Sequence, residues 1–316
     1  MPSVTSAPTS RAAGRIATRA RAPGGFFYRT VSVDIDGAPG PEAAIFDGPN
    51  SVYLSPHHDD ACFSLGALIK RRPGGRLINL FTRSGFSVSP PSGSPPDVEA
   101  ITRRRTEEDD AFAAHCHLNK VDLGLSDAPL LGRGAWDLAG VEADCAALTP
   151  PLLSRLMAIA AETPPDEKLT LFCPAGIGGH VNHVATMVAV VRALPMLRPR
   201  YRVVFYEDLH YAAVALARPT GLRLLAKGLG TTRATRLAIG FDAHVEAKLA
   251  LVRLYRSQFE TLPETCERYS PDAGAPVLGF HEAIWDFQTQ TASVALKATQ
   301  LRLPGEYRET RRGNPA

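Results

Sequence analysis

Long apolar runs are absent from this chain of 316 residues. No stretch approaches the about 20 consecutive apolar residues that cross a bilayer, so no membrane span is expected. Met1 to Gly25 also lacks the apolar core of a secretory signal. Cysteines are few and unpatterned: Cys62, Cys116, Cys145, Cys173 and Cys266 are odd in number and show no C-x-x-C spacing. That argues against a disulfide framework and against a cysteine-type zinc site, and makes a reducing cytoplasm the expected location. Charge of one sign is missing too. The 35 basic residues nearly balance 32 acidic ones, for a net charge of +3, so nucleic acid is not an expected partner.

Several catalytic signatures are also missing. No G-x-S-x-G occurs, which removes the usual serine-hydrolase elbow from an α/β architecture. Gly176-Ile177-Gly178-Gly179 could cradle a phosphate, but Val181 stands where the third glycine of G-x-G-x-x-G belongs, and no G-K-S or G-K-T follows. His281-Glu282-Ala283-Ile284 begins like a zincin helix, but Trp285 takes the place of the second histidine. No internal repeat is visible.

What is present is an alternation of short apolar runs with longer amphipathic ones. After an early strand at Thr30 to Ile35, core strands are expected at Ser51–Leu54, Arg76–Thr82, Lys120–Leu125, Lys168–Cys173 and Tyr201–Tyr206. Helices are expected at Cys62–Arg71, Glu99–Leu118 and Leu148–Ala161, the last started by Pro150 and Pro151 as first-turn prolines, and at Val184–Ala193. Beyond Asp208 the pattern predicts short helices or a lid over 209–229, a strand at Arg236–Phe241 and a long amphipathic helix at Ala243–Phe259. The alternation implies an α/β fold: a Rossmann-like, mostly parallel sheet with helices on both faces and a C-terminal extension. Residues 1–28, with Arg11, Arg15, Arg19 and Arg21 and no acidic residue, are expected to be a disordered basic leader, a transit-like or polyanion-binding arm being the alternative. One domain is expected over 29–308, with its core at 51–208 and the extension at 209–308, followed by a flexible tail at 309–316.

Two polar clusters stand at strand ends. Pro56-His57-His58-Asp59-Asp60-Ala61 follows the first core strand, and Gly179-His180-Val181-Asn182-His183 follows the fourth. In open α/β sheets, sites lie at the C-terminal edge of the strands. Histidines and aspartates gathered there suit a divalent transition metal, most often zinc, with one position left open for water.

The two clusters together resemble the PIG-L, or LmbE-like, deacetylases, which typically carry a P-H-P-D-D-E box after the first strand and an H-x-D-H box after a later one. Arg104-Arg105-Thr106-Glu107-Glu108, Phe205-Tyr206-Glu207-Asp208 and Tyr255-Arg256-Ser257-Gln258 agree with the resemblance, which spans roughly Ser51 to Gln258. It implies a Rossmann-like fold, one zinc per chain, and removal of an N-acyl group, N-acetyl above all, from an amino sugar or glycoconjugate. Carried over, His57, Asp60 and His183 would be the zinc ligands and Asp59 the general base. His180, one helical turn before His183, would face the developing oxyanion, or else serve as a helix cap. Arg83, Arg104 and Arg105 are candidates for gripping substrate oxygens, against which stand salt bridges with Glu107, Glu108 or Asp109. The alternatives are a non-catalytic or weakly active relative that uses the metal site for ligand binding, and an amidase acting on a non-sugar amide. Three positions depart from the pattern: His58 for proline, Ala61 for glutamate and Asn182 for aspartate. An aspartate at 182 would favour a protonated His180, so restoring it by Asn182→Asp is expected to shift the alkaline limb of the pH profile upward.

Overall fold

In the computed structural model, which describes residues 17–21, 27–36, 47–88, 97–209, 211–213, 217–230, 233–258 and 279–287, nine strands form one mixed sheet. In chain order these begin with β1 (Ala17–Arg21) and β2 (Phe27–Asp34), an antiparallel pair at one edge. The central unit follows: β3 (Ser51–Ser55), α1 (Asp60–Arg71), β4 (Arg76–Asn79), α2 (Val98–His115), β5 (Asn119–Asp122), α3 (Val141–Glu162), β6 (Leu169–Pro174), α4 (Val181–Leu197) and β7 (Tyr201–Tyr206). The chain closes with α5 (Ala217–Leu229), β8 (Arg233–Gly240), α6 (Val245–Val252) and β9 (His281–Phe287). Strand order is β1-β2-β8-β9-β7-β6-β3-β4-β5.

The central strand β3 pairs in parallel with β4 on one side and β6 on the other. The chain first builds outward through β4 and β5, then returns and builds the other way through β6 and β7. The crevice at the C-terminal ends of β3 and β6 is therefore the topological switch point, where such sheets place ligands. Both polar clusters sit in the loops that leave those two strands.

Period-two alternation along the buried strands feeds two cores. Val52 and Leu54 of β3 and Leu171 of β6 join the cluster built with α3, α4 and α5. Tyr53 and Phe172, stacked 4.9 Å apart, join the cluster built with α1, α2 and α6. Each side chain of this size contributes about 1.5–3 kcal/mol by leaving water, so a register slip of one residue would forfeit both faces at once.

Several sequence expectations are corrected by the structure. Residues 17–21 and 27–28, expected to be part of a disordered leader, form β1 and the start of β2; 1–16 and 22–26 lie outside the described residues. Helix α3 begins at Val141, two turns before the predicted start, with Pro150 and Pro151 inside it. Buried Val141, Cys145, Leu148, Leu152, Leu156 and Ile159 make one continuous helical stripe, and the Thr149 hydroxyl donates to the Cys145 carbonyl at 2.6 Å. Packing of that stripe against α4 outweighs the local penalty of the prolines. The long helix expected at 243–259 is only eight residues, Val245–Val252, preceded by a 3₁₀ turn at Asp242–His244. The chain turns away after it, and Tyr255 donates its hydroxyl proton to buried Asp109 at 2.6 Å. Strand β9 carried no strand expectation, yet it lies antiparallel between β7 and β8. Residues 89–96 and 259–278 and the expected tail at 309–316 lie outside the described residues.

Candidate active site

The first cluster is shaped by a tight exit from β3. The Ser55 hydroxyl donates to the His57 carbonyl at 2.5 Å and accepts from the Ala61 N–H at 3.0 Å, so the box folds back over the end of the strand and α1 starts at Asp60. The second cluster leaves β6 through a glycine turn. Gly178 has φ +93°, and a Cβ there would lie 2.5 Å from the Tyr211 ring. His180 then caps α4, its Nδ1 accepting from the Asn182 N–H at 3.3 Å, and His183 follows in the first turn.

These two turns bring buried side chains to one point. Asp60 Oδ2 lies 3.1 Å from His57 Nδ1 and 3.2 Å from His183 Nε2. The rings of His57, His180 and His183 are 4.7–5.3 Å apart, and each offers a nitrogen within 4.8 Å of the others. The neighbouring aspartates diverge: Asp60 faces the histidines, whereas Asp59 Oδ1 accepts from the Arg105 guanidinium at 3.2 Å.

A second layer fixes the ring orientations. His183 Nδ1 is 2.8 Å from Asp208 Oδ1, whose other oxygen accepts from the Ile177 N–H. His57 Nε2 is 3.2 Å from Asn182 Oδ1 and 3.6 Å from Asp127 Oδ1. The Ser84 hydroxyl donates to Asp127 at 3.1 Å and accepts from Arg105 at 3.1 Å, which links this layer to the Asp59 partner.

Burial alone would lower the His57 imidazole, but the Asp127 and Asp60 carboxylates overcome it and push it up to about 10. For His183 the burial penalty is outweighed by Asp60 and Asp208, which push it up to about 9. Burial would raise Asp60, but His183 and His57 hold it well below the usual range. His180 goes the other way: burial, then the neighbouring His57 and His183, drive it well below the ordinary histidine value, so its ring is neutral.

The residues present fit a transition metal. His183 Nε2 is buried and finds no aligned hydrogen-bond partner despite its closeness to Asp60. Two imidazoles and one carboxylate are a common donor set for catalytic zinc, and each imidazole has its outer nitrogen against a carboxylate or amide oxygen, as metal-ligating histidines do. A second group, His58, Asp109 and Asp122, lies near by. There the Lys120 ammonium, 3.5 Å from both carboxylates, already supplies the positive charge.

The structure therefore brings together His57, Asp59, Asp60, His180, His183 and Arg105. His180 is both a helix cap and a wall of the site. Arg105 is buried and held by Asp59 and Ser84. Arg83 and Arg104 do not converge: they are about half exposed and pair with Glu99 (2.7 Å) and Glu108 (3.4 Å). His58 turns away to Asp122 at 3.3 Å. Asn182 does not direct its side chain at His180; its amide lies between His57 and Asp144. Sequence reasoning missed Asp127, Ser84 and Asp144 and gave Asp208 no role. Asp127 and Asp208 both lie a few residues beyond a predicted strand, and that position was the available signal.

No family model matches the chain. Among curated proteins it is 31% identical over 171 residues to the 2′-N-acetylparomamine deacetylase of Streptomyces fradiae. That match takes in 51% of this chain and 57% of the relative, so the chain spans little more than half of the relative's length. Among solved structures it resembles a deacetylase of the teicoplanin biosynthesis pathway, with a TM-score of 0.54 and 17% identity over 76% of this chain and 99% of that one. A deacetylase of the A40926 pseudoaglycone superposes with a TM-score of 0.50 and 21% identity over 77% of this chain and 98% of that one. The chain therefore shares the fold of these deacetylases, with its two strand-end boxes placed at the switch point of that fold.

Proposed function

We propose that the chain is a zinc-dependent hydrolase that removes an N-acyl group, in the first place N-acetyl, from an amino sugar or glycoconjugate. The observation that carries this reading is the convergence of His57, Asp60 and His183 at the switch point, with Asp59 beside them but tied to a different partner. The name of the curated relative, a 2′-N-acetylparomamine deacetylase, supports the amino-sugar substrate class.

His57, Asp60 and His183 would hold the metal, which when bound supplies a water that ionises near neutral pH and a positive charge beside the acyl oxygen. Asp59, kept off the metal by Arg105, takes the proton of the attacking water and passes it to the departing amine nitrogen. Water and amide thus become carboxylic acid and amine, with no other reactant. His180 accepts at Nδ1 from the helix, so in its neutral form the ring proton sits on Nε2, and this N–H serves as the donor to the acyl oxygen as charge builds there. Arg105 acts as the partner of Asp59, in place of the substrate contact read from the sequence. The catalytic unit in this reading is a single domain built on the nine-stranded sheet, with β1 (Ala17–Arg21) included in place of a boundary at residue 29, and a cytoplasmic location is supported by Cys62, Cys116, Cys145 and Cys173, all buried and free. No helix among the described residues is long and apolar enough to cross a membrane.

A panel of N-acylated amino sugars incubated with zinc-loaded protein and assayed for free amine tests the proposal. Amine release from at least one N-acetylated sugar is expected. Zinc binding with no release from any of them would overturn the hydrolase reading in favour of a ligand-binding relative.

A further inference from the structure

Asn182 is one of the positions where this chain departs from the family pattern it resembles, and the structure shows what surrounds it. The residue is fully buried in the first turn of α4. Its Nδ2 donates to Asp144 Oδ2 of α3 at 2.9 Å. Its Oδ1 accepts from the Ala128 N–H at 3.4 Å and lies 3.2 Å from His57 Nε2. The other Asp144 oxygen is paired with Arg133, whose second guanidinium nitrogen donates to the Gly140 carbonyl at 2.9 Å. Gly140 leaves the room for this, since a Cβ at that position would collide with the Arg133 guanidinium.

The orientation of the amide follows from its partners. An ionised carboxylate only accepts and a backbone N–H only donates, so Asp144 fixes Nδ2 on its own side and Ala128 fixes Oδ1 on the other. Asn182 Oδ1 then faces His57 Nε2 as an acceptor at 3.2 Å, with Asp127 Oδ1 at 3.6 Å beside it, and that nitrogen must carry the ring proton. In a neutral His57 the lone pair is left on Nδ1, the atom that points at Asp60. An aspartate at 182 would set one carboxylate against another, with a single arginine between them.

We propose that Asp144 is a positioning residue: through Asn182 it holds His57 with its proton on Nε2 and its lone pair on Nδ1. The inference rests on the assignment of His57 as a metal ligand. Asn182→Asp is then a damaging change in this chain, and Asp144→Asn made together with it is the compensating one. The exchange returns a donor to face an acceptor, and the amide oxygen introduced at 144 can still accept from Arg133.

The test compares the parent, Asn182→Asp, Asp144→Asn and the double variant. Three quantities are measured: zinc affinity by chelator competition, ring-nitrogen NMR shifts of His57 in the zinc-loaded proteins, and turnover. Each single variant is expected to bind zinc about 10- to 100-fold more weakly, the usual effect of losing a partner behind a metal ligand. The double variant should recover most of the affinity and show the parent's His57 shifts. Gly140→Ala, which displaces only Arg133, is the milder variant if a single substitution fails to fold; a smaller loss of affinity in the same direction is expected. Single variants, or a folded Gly140→Ala, with the parent's affinity and shifts would overturn the proposal, as would a double variant no better than the sum of the two. Zinc affinity and ring shifts need no substrate. An empty amine-release screen would defeat the deacetylase reading alone, whereas loss of coupling between 144 and 182 would defeat this one alone.

Discussion

At the scale of single residues, the division of labour between Asp59 and Asp60 is the point most exposed to test. Asp60 lies within 3.2 Å of two histidines, whereas Asp59 touches Arg105, and the proposed mechanism accordingly gives the first to the metal and the second to the proton. Asp59→Asn should therefore keep its zinc by elemental analysis and lose about 10²- to 10⁴-fold in turnover. Loss of zinc together with activity would reverse the two roles. The convergence of these residues was legible in sequence because both boxes are contiguous and each directly follows a predicted strand. Asp127, Asp144 and Asp208 were not, because each reaches its partner across the fold: Asp144 lies 38 residues from Asn182 and Asp208 lies 25 from His183. The direction of the Asn182 side chain was hidden for the same reason. It is set by α3, whose path in turn depends on a stripe that runs through two prolines.

At the scale of elements, β9 was the least legible and is the most telling. His281 and Glu282 make the segment look too polar for an inner strand, yet both are buried. Glu282 accepts from the Ala67 and Leu68 N–H groups of α1 at 2.8 and 2.9 Å and from Lys248 of α6 at 2.6 Å. One carboxylate thus joins β9 to the helix that carries Asp60. A buried ion pair is costly to break from one side, since the remaining charge loses its partner. Glu282→Ala should lower the unfolding free energy by about 3–5 kcal/mol in denaturant titrations. Glu282→Leu combined with Lys248→Met should restore most of it. A single variant that loses under about 1 kcal/mol, the scale of an exposed pair, would show that the pair does not anchor α1. The parallel strands β3, β6 and β7, by contrast, were read to within a residue at each end, because strands buried on both faces, as β3 and β6 are, appear as mainly apolar runs.

At the scale of the whole molecule, the site makes stability depend on pH and on metal together. In the metal-free protein His57 and His183 titrate at about 10 and about 9, above the ordinary 6.5. A raised folded value means that the stabilisation is fully present below pH 6.5 and is lost as pH rises through 9 to 10. The Tm of chelator-stripped protein should accordingly fall between pH 7 and pH 10. Zinc must displace these protons, so about two should be released per metal bound at neutral pH, and the zinc-loaded protein should hold its Tm over that range. A flat or rising Tm in the stripped protein would mean that the two histidines are not held as charged partners of Asp60, Asp127 and Asp208. The central claim, that this switch-point cluster makes the chain a metal-dependent N-deacetylase, is tested most directly by titrating zinc into stripped protein while following amine release from an N-acetylated amino sugar. Activity should start near zero and climb in proportion to added zinc, with a break at one equivalent per chain. Undiminished release by the stripped protein, or no release at any zinc level across the sugar panel, would contradict it.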